Sequence, residues 1–379
     1  MQDTNRREFL KTSGKFSAMV AVLGSGVGSV LMADSKSYKT TLNLKGQMPM
    51  RSLGKVNPLQ VSALAFGCMG LNYHRSKRLS EKEASNIVAE ALAYGINFFD
   101  TAQVYGPNSN EILTGKILKP YRDKVIIATK FGFGANSDAL DSSPKRIRQV
   151  VEQSLKRLHL ESLPLLYQHR FDPKTPIEEV ADTMKSLIQE GKVMRWGVCE
   201  LSAKSIEKAH KICPLSAVQS EYHLMWRNVE SELLPTLERL GIGFVAYSPL
   251  ARGYLSGKLT KNSDFDPSND NRASFPRYQD EAMRANYHII TLLQEFGKAK
   301  GANGKDATPA QIALAYLLAK KPYIVLLFGT TNPTHLLEDV QSLQVALTQK
   351  DIKWLDSKLD NITIVGDRYP PEQAQRVGQ

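Results

Sequence analysis

Four side chains able to hold or move a proton stand at the ends of short apolar runs in this chain. In "INFFDTAQVYG" (Ile96–Gly106) the run ends on Asp100, and the phenol of Tyr105 follows five positions later. "VIIATK" ends on Lys130, and "LPLLYQH" ends on His169. A phenol with a pKa near ~10 is too weak an acid for neutral pH, and an adjacent ammonium favours its phenolate and brings it toward the working range. A carboxylate beside that lysine offsets the cost of burying its charge and fixes its position. A histidine can hydrogen-bond a carbonyl and orient it. Asp100, Tyr105, Lys130 and His169 together would make a proton donor for the oxyanion that forms when a carbonyl accepts hydride. Each alone has a plainer reading: a capping Asp, a solvated Lys, a satisfied core His, a packed turn Tyr. Their shared position at one end of neighbouring strands carries the expectation.

The elements that would hold them are strands alternating with helices. Candidate strands are Val61–Phe66, Ile96–Asp100, Val125–Thr129, Leu163–Gln168, Val193–Cys199, Ala217–Ser220, Gly243–Tyr247 and Ile324–Phe328. They are apolar without strict alternation, as parallel strands buried on both faces should be. Ser80 with Glu83, Ser143-Pro144, Pro176, and Thr308-Pro309 with Gln311 mark helix starts, each followed by an apolar stripe. Eight strand–helix units predict an α/β fold, a closed parallel (β/α)8 TIM barrel in one domain, with chemistry at the C-terminal strand ends. The loop after the seventh strand, from Ser248 to Asp280, is rich in Pro, Asn, Asp and Ser and reads as a flap over the mouth. "LGSGVGS" (Leu23–Ser29) has no strand before it and is a false dinucleotide fingerprint.

The 379 residues carry a formal net charge of +11, without long basic runs in the body. No basic–aromatic module points to nucleic acid. Residues 1–33 read as an export segment. "RREFLK" (Arg6–Lys11) resembles the twin-arginine signal, which implies passage through that translocase in folded form to the periplasm, or a retained signal anchor. The apolar stretch Phe16–Ala33 is broken by glycines, so no stable membrane span is expected. Residues 34–50 read as a linker, 51–360 as the barrel and 361–379 as a C-terminal tail. Cys68, Cys199 and Cys213 suggest neither a disulfide framework nor a metal site.

From Arg51 to about Leu359 the chain resembles the aldo-keto reductase family. "FGCMGLN", "NFFDTAQVYG", "VIIATKFGF", "GKVMRWGVCE", "VAYSPLARGYLSGKL" and "GTTNPTHLLED" carry the likeness. The resemblance implies NAD(P)H-dependent reduction of small aldehydes or ketones, with Asp100, Tyr105, Lys130 and His169 as the tetrad and Tyr105 as general acid. It also implies a dinucleotide extended across the mouth. Gln219 would hold the carboxamide and Tyr247 stack on the nicotinamide. Ser248, Pro249, Leu250 and Lys258 would line the pyrophosphate, and Gly329, Thr331 and Glu338 the adenosine end.

Two departures bear on that reading. Cys199-Glu200 stands where the family often has Ser-Asn or Ser-Glu, and cysteine is a weak donor. Asn332 and His335 stand where many NADPH-using members have Lys or Arg, and Asp339 replaces a usual Asn. Arg272 in the flap could compensate. NADP(H) is the expected cofactor and NAD(H) the alternative. Met69, Tyr73, Phe131, Phe133, Tyr222, Met225 and Trp226 are candidate walls of an apolar substrate mouth. The competing function is a catalytically weak NADP(H)-sensing barrel. A metal-dependent hydrolase would want clustered His or carboxylate ligands at the strand ends, which the sequence lacks.

Overall fold

The computed structural model describes residues 48–378, apart from 75–77, 136–138, 260–262 and 264. The twin-arginine pattern lies outside the described residues. An antiparallel hairpin, β1 (Met50–Leu53) and β2 (Leu59–Ser62), leads into β3 (Leu64–Gly67). Then follow α1 (Glu81–Ala93), β4 (Phe98–Asp100), α2 (Ser109–Leu118), β5 (Ile126–Phe131), α3 (Pro144–Leu158), β6 (Leu165–Gln168), α4 (Ile177–Gln189) and β7 (Trp196–Cys199). The second half adds α5 (Ala203–Ile212), β8 (Ala217–Glu221), α6 (Leu233–Leu240), β9 (Gly243–Tyr247), α7 (Asp280–Asn286), α8 (His288–Phe296), α9 (Pro309–Lys320) and β10 (Ile324–Phe328). Helices α10 (Pro333–Gln341), α11 (Gln349–Leu359) and the short α12 (Pro371–Ala374) complete it. Strands β3 to β10 pair in parallel, and β10 closes on β3. The expected eight-stranded TIM barrel is what the chain forms.

Alternate residues of each strand feed two cores, because successive side chains in a strand point to opposite faces. Ala65, Phe98, Ala128, Leu165, Tyr167, Val245, Val325 and Leu327 fill the barrel interior. Leu64, Phe66, Ile127, Leu166, Leu326 and Phe328 face the helices. The hairpin adds Leu53, Leu59 and Val61 to the interior cluster and so plugs the end opposite the site. The helix starts fall where expected, with capping boxes at Ser80–Glu83 and Thr308–Gln311. Gly95, at φ +88°, takes the left-handed turn just past α1.

Three expectations about elements are corrected. The run Val61–Phe66 is not one strand: Val61 belongs to the hairpin and the barrel strand starts at Leu64. Ser62 breaks it, its Oγ donating to Leu64 O at 2.6 Å while its N–H donates to Asn97 Oδ1 at 2.7 Å. Lys130 lies inside β5 rather than after it. The segment from 361 onward is no tail. Arg368 and Tyr369 are 9% and 7% exposed, packed into the mouth of the barrel.

Candidate active site

Strand β4 delivers Asp100 and β5 delivers Lys130, in register with Ala128 opposite Asp100. Beyond β4 the backbone keeps to β5, with Thr101 N–H donating to Ala128 O at 2.9 Å and Gln103 N–H to Lys130 O at 3.3 Å. The chain then turns across the mouth, Tyr105 N–H donating to Ala102 O at 3.1 Å. Gly106, at φ +71°, permits that turn. Asn110, the second residue of α2, ties it down by donating to Cys68 O at 2.8 Å and accepting from Thr101 Oγ1 at 2.6 Å. His169 follows β6, its N–H donating to Phe131 O at 2.7 Å.

The four expected residues meet. The Lys130 ammonium donates to Asp100 Oδ1, to Thr101 O at 2.9 Å and to the Tyr105 hydroxyl at 3.4 Å. Gln219 donates to Asp100 Oδ2 at 2.9 Å, so both carboxylate oxygens are engaged. The His169 ring stands edge-on to Tyr105, with centroids 5.7 Å apart, and to Phe133 at 5.3 Å. Tyr73 flanks Tyr105 at 6.0 Å. This geometry can present a hydroxyl and an imidazole to one carbonyl oxygen.

Electrostatics corrects one part of the sequence argument. Burial pushes the Tyr105 phenol above its ordinary value, and the opposing pull of Lys130 only partly offsets it. The hydroxyl is therefore a held proton rather than a loose one. Burial would lower Lys130, but Asp100, Tyr105 and Cys199 together outweigh it and keep the ammonium charged. Burial, then the charges of Arg170 and Lys130, push His169 well below 6.5, so the imidazole is neutral at pH 7. A neutral ring suits hydrogen bonding to a carbonyl.

A cavity of about 770 Å³ is lined by Asp100, Tyr105 and His169 and runs on toward β9 and β10. Gln219, Tyr247, Ser248, Pro249, Leu250, Lys258, Arg272, Gly329, Thr331, His335 and Glu338 all line it. The residues fit an extended dinucleotide. They offer a flat phenol ring, a loop whose Ser248, Ala251, Arg252 and Gly253 all have positive φ, and cations at Lys258 and Arg272. Two of these cations already have acidic partners. Lys258 pairs with Glu338, and Arg272 with Asp270. Burial, then Lys258, keeps His335 below its ordinary value, so it adds no full charge there at pH 7.

Cys199 and Glu200 are absent from the lining. Burial pushes the Cys199 thiol up to about 12. The Glu200 carboxylate accepts from Glu221 N–H at 2.7 Å and from Arg368. Of the candidate substrate walls, Met69, Tyr73 and Phe133 line the cavity. Phe131, Tyr222 and Met225 do not; they are buried in the outer core against the helices. Trp226 lies beneath the Arg277 and Arg368 guanidiniums instead.

The sequence reading missed the segment that completes the mouth. The Tyr247 hydroxyl bonds Tyr369 Oη at 2.8 Å and accepts from Arg368 Nη2 at 2.7 Å. Arg368 also donates to Glu200 Oε2 at 2.9 Å and to Glu221 Oε2 at 2.7 Å. Arg252 stacks between Phe275 and Tyr369, at 4.7 and 5.6 Å from their centroids. An Arg-Tyr pair in a Gly- and Pro-flanked segment, "GDRYPP", was the only signal.

Known proteins share this arrangement of strands and sequence. The profile described as Aldo/keto reductase family matches residues 63–360. A Glycine max protein named Probable aldo-keto reductase 1 is 40% identical over 315 residues, covering 82% of this chain and 89% of that one. The solved glycerol dehydrogenase from Gluconobacter oxydans superposes with a TM-score of 0.73 at 26% identity, covering 87% of this chain and 99% of its own. The aldo-keto reductase from Bacillus halodurans, in its holo form, gives a TM-score of 0.66 at 26% identity, covering 85% and 98%. The chain therefore belongs to the aldo/keto reductase family, oxidoreductases that bind NAD(P)H and act on small carbonyl compounds.

Proposed function

We propose that this protein reduces aldehydes or ketones to alcohols with Tyr105 as general acid and NADP(H) as the preferred dinucleotide. The observation that carries the reading is the Tyr105 hydroxyl held by Lys130 at 3.4 Å, beside the His169 ring, in the cavity that Tyr247 and Gln219 also line. Held along that cavity by Gln219 and Tyr247, a reduced nicotinamide would be the source of hydride for the carbonyl carbon. The neutral His169 ring hydrogen-bonds and orients the carbonyl oxygen. Tyr105 hands its proton to that oxygen as negative charge develops there. Lys130 stabilises the phenolate left behind, and Asp100 with Gln219 holds the ammonium in place. Lys258, Arg272 and Arg376 line the cavity and favour a 2′-phosphate. NAD(H) is the second reading, because Asn332 and His335 supply no fixed charge there.

Steady-state oxidation of NADPH and NADH against an aldehyde panel tests this. Turnover is expected with both nucleotides, and more with NADPH. Because Tyr105 sits above its ordinary value and His169 well below its own, kcat/KM should stay level from about pH 6.5 to 9. Nucleotide binding without turnover would favour the sensing reading.

Export by the twin-arginine route is also proposed, on Arg6–Lys11 alone. Replacing Arg6 and Arg7 together by lysine is expected to leave the protein in the cytoplasmic fraction. Unchanged periplasmic yield would rule the route out.

A further inference from the structure

The mouth of the barrel holds more positive charge than its own carboxylates neutralise. Four guanidiniums, Arg170, Arg252, Arg277 and Arg368, gather around two carboxylates, Glu200 and Glu221. Those carboxylates are already taken. Arg368 engages both oxygens of Glu200 and Oε2 of Glu221, and His223 bonds Glu221 Oε1 at 3.0 Å. Arg252 reaches Glu221 only at 3.6 Å. Burial holds Arg277 below its ordinary value; Glu221 pulls it back up, while Arg368 and Arg252 push it further down. Excess buried cation is costly unless something of opposite charge completes the site.

Arg170 is the member with a vacancy facing the cavity. It follows His169 directly and lines the same cavity as Tyr105, His169 and Phe133. Its one hydrogen bond among the described residues runs from Nη1 to His169 O, at 2.7 Å. Among the described residues no carboxylate lies within ion-pairing distance of it. The rest of a planar fork of donors, matched to a carboxylate or phosphate, is left for something in the cavity.

Two sources of anion are conceivable, the substrate and the phosphates of the dinucleotide. Topology separates them. Around the closed ring β6, which Arg170 follows by two residues, stands opposite β10, and the phosphate and adenosine residues proposed above follow β9 and β10. Arg170 instead adjoins the tetrad.

We infer that Arg170 is a specificity-determining residue that grips an anionic group on the substrate, so the preferred substrates are carbonyl compounds carrying a carboxylate or phosphate. The inference rests on the reductase reading above and narrows its substrate class.

The test compares matched pairs: 4-formylbenzoate with 4-formylbenzamide, and 4-oxobutanoate with 4-oxobutanamide. The intact enzyme should favour each anion by about tenfold in kcat/KM, mostly through KM, and less at high salt. R170Q should bring the preference close to unity, while R170K retains much of it. Affinity for NADPH, read by fluorescence titration, should move less than twofold in R170Q. Equal use of anion and amide by the intact enzyme would overturn the anion site while leaving the reductase reading standing. So would an R170Q loss equal for both members of a pair, which marks a structural role. A large fall in NADPH affinity would assign Arg170 to the cofactor instead. Absence of turnover with every member, nucleotide still bound, would overturn the reductase reading and this inference together.

Discussion

Tyr105→Phe is expected to lower carbonyl reduction by about a thousandfold while nucleotide affinity changes less than about twofold. The substitution removes one oxygen and keeps the ring. Its contacts with Tyr73 at 6.0 Å and His169 at 5.7 Å are ring contacts and should survive. Lys130 loses only its longest bond, at 3.4 Å, and keeps Asp100 and Thr101 O. What disappears is the proposed proton donor at the developing alkoxide. Stopped-flow or steady-state assays with 4-formylbenzamide give the rate, and nucleotide fluorescence gives the affinity. More than a tenth of the activity remaining would mean that another group protonates the oxygen. Loss of nucleotide binding would mean that the hydroxyl supports the cavity rather than the chemistry.

The second large effect concerns stability. Arg368→Met should cost about 3–5 kcal/mol at neutral pH, because it strands the Glu200 carboxylate and half-strands Glu221 in a buried setting. Melting should fall by on the order of 10 °C. The sign with pH follows from Glu221. Burial would raise it, but Arg368 and Arg252 outweigh burial and hold it well below the ordinary carboxylate value. A depressed carboxylate contributes stability that is fully present above the unfolded value, near ~4.5, and is lost as pH falls through the folded value. The gap between wild type and variant should therefore be widest at neutral pH and shrink in acid. A constant gap would point to lost packing against Trp226, 5.1 Å away, instead of charge. Because Arg368 also holds the Tyr247 hydroxyl, KM for the nucleotide should rise more than kcat falls.

The barrel was legible because its strands are buried on both faces and so read as unbroken Val, Ile, Leu and Phe runs. The tetrad was legible for the complementary reason. Asp100, Lys130 and His169 are polar residues ending such runs, and the fold places those ends together. The hairpin was not, since Met50–Leu53 is short and carries Arg51 and Ser52. Phe131 was misassigned although parity could have corrected it. Lys130 points into the barrel, so its neighbour in the strand must point out to the helices. Tyr222 fails by the same parity from Gln219. Arg368 and Tyr369 had only the bare "GDRYPP" segment as a signal: the partners of Arg368, Glu221 and Glu200, are 147 and 168 residues away in the chain.

Strand β3 needs two neighbours, Phe98–Asp100 on one side and Ile324–Phe328 on the other. On the ribosome the first arrives early and the second only after nearly all of the ring has been made. Until then a row of unpaired amides and carbonyls stays open to any passing strand. Nascent chains stalled before Ile324 should consequently aggregate rather than settle as a smaller barrel.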